Sequence, residues 1–192
     1  IVDGRVWWLR GVCLSVMIIL VVGGVTRLTG SGLSMVDWRP VSGGLPPIGE
    51  AAWAMEFAQY QESPQYKLVN QGISLGEFQY IFFWEYLHRV LGRVVGLLCL
   101  IPYLWFLFRG KLDRGLKLKG GILVLLVGAQ GFMGWYMVKS GLVKNPEVSH
   151  FRLAAHLSLA FAIFGLAWWA SLGLSDRTET GKSVPPIRYR NW

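Results

Sequence analysis

The chain has 192 residues, of which 53% are hydrophobic, 14% aromatic and only 16% charged. Soluble domains carry about 25% charged residues, so an ordinary soluble domain, a disordered chain and a coiled coil are excluded. The formal net charge of +8 suits a nucleic-acid partner or a membrane surface, and the long apolar runs decide for the membrane.

A helix crosses a bilayer with roughly 20 apolar residues. Four such segments predict an all-α, polytopic membrane protein, a bundle of four transmembrane helices over residues 1–174. The first span covers about residues 11–27, between Arg10 and Arg27. No small-residue cleavage site precedes it, so it reads as a retained span rather than a signal peptide. The opening Ile1-Val2-Asp3 suggests a processed or partial chain. A long, ordered outer loop follows at 28–77, with Pro46-Pro47 and an amphipathic stretch from Glu50 to Tyr60. Loops of this length without a function are uncommon; this one reads as a lid lying on the membrane surface, as a cap over a site at the outer face, or as both. The second span, 78–108, contains Glu85, His88, Arg89 and Arg93. The third, 120–138, lies between Lys119 and Lys139; the fourth, 151–174, carries Arg152 and His156. Residues 175–192 form a polar tail. Cys13 and Cys99 lie within apolar runs and read as buried small hydrophobes.

Arg109, Lys111, Arg114, Lys117 and Lys119 crowd the loop between the second and third spans, whereas the next loop holds only Lys139 and Lys144. The positive-inside rule then places both termini and the basic loop on the cytoplasmic or matrix side. With the basic residues so assigned, or facing anionic lipid, no basic face remains for nucleic acid.

Ser74-Leu75-Gly76-Glu77 matches a capping box. Asn145, Pro146 and Glu147 match a second helix start, so the second and fourth spans run parallel. His88 lies 14 residues after Ser74 and His156 lies 11 after Asn145, within about one helical turn of the same depth. The ends of the first and third spans echo one another, Thr26-Arg27-Leu28-Thr29-Gly30 against Met137-Val138-Lys139-Ser140-Gly141. Two helix pairs related by pseudo-symmetry would bring the two histidines face to face.

In the second span, Glu85, His88, Arg89, Gly92, Arg93 and Gly96 share one helical face. Charged groups there must face the bundle interior, and the glycines leave room for something flat. Imidazole ligates heme iron and guanidinium binds carboxylates bidentately. His88 and His156 are therefore candidate axial ligands, and Arg27, Arg89, Arg93 and Arg152 candidate partners for heme propionates. A single histidine in a span is commonly a packed residue; two at matched depth beside arginines point to ligation. Glu85 is the lone carboxylate inside a span, which excludes a di-iron carboxylate site, and one histidine per helix is too few for catalytic zinc. His150 reads as a surface or gate residue.

Several segments together resemble heme A synthase of the alphaproteobacterial and mitochondrial type. They are Gly23-Gly24-Val25-Thr26-Arg27-Leu28-Thr29-Gly30-Ser31-Gly32-Leu33-Ser34-Met35, Trp38-Arg39-Pro40-Val41-Ser42-Gly43-Gly44-Leu45-Pro46-Pro47, Ile81 to Arg89 with Leu91-Gly92-Arg93, Gly134 to Leu142, and Phe151-Arg152-Leu153 with His156-Leu157. The resemblance implies an inner-membrane enzyme that oxidises the C8 methyl of heme O to a formyl group, making heme A for terminal oxidases. It implies that His88 and His156 hold the heme substrate and that Glu85 is the essential carboxylate. It also implies a C-terminal half carrying heme b, so the expected companions are that half or a second copy, together with heme O synthase and oxidase assembly factors. The cysteine pair that some relatives carry in the first outer loop is absent from 28–77, which leaves a redox relay there unsupported. The competing readings are a bis-histidine cytochrome that only carries electrons and a heme-delivery subunit.

Overall fold

The computed structural model describes residues 3–37, 45–141 and 149–180. The expected helix start at Asn145, Pro146 and Glu147, the 38–44 part of the second matching segment and most of the polar tail lie outside the described residues. Six helices follow in chain order: α1 Gly4–Leu28, α2 Glu50–Gln61, α3 Pro64–Leu68, α4 Leu75–Phe108, α5 Arg114–Gly141 and α6 His150–Thr180. Four of them, α1, α4, α5 and α6, are long and apolar enough to cross a membrane, and the chain is a multi-pass membrane protein of all-α architecture.

The spanning helices outrun the apolar segments because helices stop at caps, whereas hydropathy stops at charge. Asp3 caps α1 by accepting from the Arg5 amide at 2.9 Å, and its carboxylate pairs with the Arg5 guanidinium. Asp113 opens α5, accepting from the Leu116 amide at 2.7 Å, ahead of the lysines that close the loop. The capping box at Ser74 and Glu77 is formed. Past its apolar stretch α6 continues through the polar residues to Thr180, just before Gly181, so the helix overruns the expected tail boundary at 174.

α1 and α5 each pack against both α4 and α6, which sets α4 and α6 diagonally across the bundle. The core joins Leu9, Val12 and Val16 of α1 to Cys99 of α4, Leu123 of α5 and Ile163 of α6. Between spanning helices, close packing of small residues replaces the hydrophobic drive of a soluble core. Ala160, Ala167 and Ala170 on α6 are buried, and the Cys13 thiol reaches the Phe164 carbonyl at 3.8 Å. Leu14, Val21, Leu125 and Phe161 turn outward.

Pro102 lies inside α4, and a proline leaves the carbonyl four residues back without its helical donor. That carbonyl belongs to Leu98, and the Trp8 indole donates to it at 3.0 Å. A tryptophan of α1 thus satisfies a backbone group that has no water to turn to in lipid.

The loop after α1 folds back as α2 and α3. Tyr60 and Phe78 are fully buried and stacked at 5.0 Å, with Trp53 edge-on to Phe82 at 5.1 Å. Gln65 fastens this aromatic cap to the end of α1, donating to the Gly30 carbonyl at 2.7 Å and accepting from the Tyr60 hydroxyl at 3.1 Å. Gly30 has φ +67°, the left-handed conformation that glycine adopts without strain and that the turn out of α1 requires.

Candidate functional site

Glu85, on α4, is almost fully buried. Its Oε2 accepts from the Ser34 hydroxyl at 2.7 Å and from the Met35 amide at 2.8 Å. Its Oε1 accepts from Arg89 at 2.6 Å, one turn along the helix. Arg89 also donates to the Met35 carbonyl at 3.0 Å and to the Asp37 carbonyl at 3.4 Å. Carboxylate and guanidinium thus clasp the segment that leaves α1 onto the flank of α4. The helical stripe put Glu85 and Arg89 on one face but not in a pair with each other; Ser34 and Met35 were missed as partners, because they lie about 50 residues away in sequence and carried no charge signal.

His88 follows Glu85 by three residues, deeper along α4, and His156 projects from α6 on the opposite diagonal. Each has a buried Nδ1 without a hydrogen-bond partner among the described residues. His88 lies against Gly23 of α1, and a Cβ on that glycine would stand 2.9 Å from its Cε1. His156 lies against Gly134 of α5, where the same distance is 3.4 Å. The sequence echo between the ends of the first and third spans is therefore matched by a repeated contact, glycine on one helix against histidine on the next.

The remaining arginines divide. Arg93 is half-buried on α4, as is Arg152 on α6; Arg152 donates to the Ser140 hydroxyl and sits 5.0 Å from the Tyr136 ring centre. Arg27 is exposed in the last turn of α1. His150 is the exposed first residue of α6. Of the two glycines expected to thin the α4 stripe, a Cβ on Gly92 would stand 3.7 Å from Ile19 of α1, while one on Gly96 would meet nothing within 4 Å. Gln130, which sequence reasoning passed over, donates from α5 to the His156 carbonyl at 3.0 Å.

At the end holding Asp3 and the α4–α5 turn, Lys111 lies over Trp105 at 4.9 Å and Lys119 over Trp169 at 3.8 Å. At the opposite end Lys139 lies over Trp135 at 4.9 Å. Aromatic and basic residues at both rims are the anchoring pattern of membrane interfaces. The imidazoles and Glu85 thus sit in the half of the bundle that lies beneath the aromatic cap.

The chain is 55% identical over 167 residues to a heme A synthase of Nitrosospira multiformis, a match covering 87% of this chain and 47% of that protein. It is 50% identical over 181 residues to a heme A synthase of Nitrosomonas eutropha, covering 93% and 50%. A heme A synthase of Rickettsia bellii is 50% identical over 162 residues, covering 84% and 48%. The chain thus spans about half the length of the curated relatives it matches. No solved structure matches it. The family model described as COX15-CtaA, cytochrome oxidase assembly protein, matches residues 6–192, and with these relatives it shows that the chain belongs to that family.

Proposed function

We propose that this chain is the heme-substrate half of a heme A synthase, oxidising the C8 methyl of heme O to a formyl group. The observation that carries the proposal is the pair of half-buried imidazoles, on diagonal helices, each with a buried, unpartnered Nδ1 and a glycine behind it. Such a pair fits a flat macrocycle with an iron at its centre. Relatives named heme A synthase, about half identical over most of this chain, support the same reading.

His88 and His156 would hold the iron as axial ligands, and Arg89, Arg93, Arg152 and Arg27 are the candidate partners of the propionates. The bound substrate supplies the iron, the conjugated ring and the methyl carbon that reacts. Loss of two electrons from that methyl to an external acceptor, together with one proton, leaves positive character on its carbon. In a low-dielectric site, Glu85 would stabilise this charge or take the departing proton. Because Ser34, Met35 and Arg89 fix both its oxygens, the carboxylate needs no reorientation as charge develops. The aromatic cap over the loop end of the bundle would exclude bulk water.

The basic residues between α4 and α5, in Arg5 and Arg10, and in the tail support an orientation with both termini on the cytoplasmic or matrix side of an inner membrane. The companions proposed are a second half carrying heme b, or a second copy, with heme O synthase and oxidase assembly factors as neighbours in the process.

The test is product analysis. Membranes containing the full-length protein and supplied with heme O should yield formyl heme, and Glu85→Gln should retain hemin but yield none. Heme O recovered unchanged from the wild type, with electrons passing through it, would support a cytochrome; unchanged heme handed to another protein would support delivery.

A further inference from the structure

We infer that Gly23 and Gly134 are positioning residues that set where the two imidazoles stand, and that the Gly23 position is the stricter; this rests on the heme reading above. The two contacts share one design. On α1, Ile19 and Gly23 are four residues apart, so they lie on one helical face. The His88 ring lies against Gly23, and a Cβ on Gly92, one turn along α4 from His88, would stand 3.7 Å from Ile19. On α5, Gln130 and Gly134 repeat the four-residue step. Gln130 donates to the backbone carbonyl of His156, and the His156 ring lies against Gly134. In each pair the first residue touches the histidine-bearing helix and the glycine one turn on gives the ring room.

The clearances differ. A Cβ at position 23 would meet three atoms of the His88 ring, Cε1 at 2.9 Å, Nδ1 at 3.3 Å and Nε2 at 3.7 Å. The first is shorter than side chains tolerate, so the ring would have to shift. At position 134 the same carbon would meet Cε1 at 3.4 Å and Nε2 at 4.0 Å, ordinary contact. Gly24, next in the chain, has nothing within 4 Å. It provides a matched control, with the same helix and the same substitution but no ring behind it.

The experiment is hemin reconstitution of the purified full chain in detergent, followed by absorption and electron paramagnetic resonance. The wild type should form a low-spin, bis-imidazole species. Gly23→Ala should lose most of it and retain hemin about two- to tenfold more weakly, the effect of one strained side chain. Gly134→Ala should stay within about twofold, since its added carbon meets no clash. Gly24→Ala should match the wild type. Free imidazole added to the Gly23→Ala protein should restore the low-spin signal, because the fault would be a displaced ligand rather than a lost fold. A Gly23→Ala protein indistinguishable from wild type, a Gly24→Ala loss as deep, or a failure of imidazole to restore the signal would each overturn the inference and leave the heme reading standing. A wild-type chain that forms no low-spin species would overturn both.

Discussion

Replacing Glu85 by alanine isolates the clasp between α4 and the segment leaving α1. In the wild type the carboxylate takes three donors, from Ser34, Met35 and Arg89, and its side chain is 3% exposed against 10% for Arg89. Alanine leaves the Arg89 guanidinium without its carboxylate and the Met35 amide without its acceptor. Breaking a buried pair from one side costs about 3–5 kcal/mol. Ser34→Ala is the graded companion: it removes one donor while Met35 and Arg89 still hold the carboxylate, at about 1–3 kcal/mol. Glu85→Gln should fall between, since its amide still accepts from Ser34 and Met35 but turns an NH2 toward Arg89. Thermal unfolding in detergent micelles reads the series; for a chain of this size the alanine variant should melt lower by roughly 10 °C. An alanine variant melting within a degree or two of wild type, or a Ser34→Ala loss as large as the alanine loss, would refute the clasp.

His88→Ala and His156→Ala should each abolish the low-spin signal of the hemin-loaded protein while leaving helix content unchanged by circular dichroism; an unaltered spectrum would assign the iron to other ligands. The hydrogen bond and charge of the Arg5 side chain hold the Asp3 carboxyl below the usual carboxylate range. A depressed folded-state value contributes stability that is present above the unfolded value and lost as pH falls through the folded one. The melting temperature should therefore drop more steeply for wild type than for Asp3→Asn below about pH 4, and parallel curves would remove this contribution. Trp8→Phe keeps the ring against Tyr103 and Phe106 but strands the Leu98 carbonyl. It should cost about 1–2 kcal/mol, measured by the same melts, and a neutral result would mean that the carbonyl finds another donor.

The spanning helices were legible because apolar length is a strong signal, and the capping box at Ser74 was legible because its chemistry is local. The helix ends were not, since Asp3 and Asp113 cap helices several residues before the apolar runs begin. The polar stripe of α4 identified Glu85, His88 and Arg89 as inward-facing, yet gave no hint that Ser34 and Met35 hold the carboxylate, a contact created only when the loop folds back. Glycine carries no polarity to read, so Gly23 and Gly134 stood in the matching segments without a visible role until the neighbouring rings were placed. Arg27 lies off that stripe, on another helix, and its side chain is exposed in the last turn of α1.

The diagonal placement of α4 and α6 turns the bundle into a calliper. The jaws that carry the imidazoles are held apart by two spacers, α1 and α5, so the opening between the rings is set by residues on the spacers rather than on the jaws. Volume changes along those inner faces should widen or narrow the gap without altering either histidine, so the distance between the rings is set on the spacers.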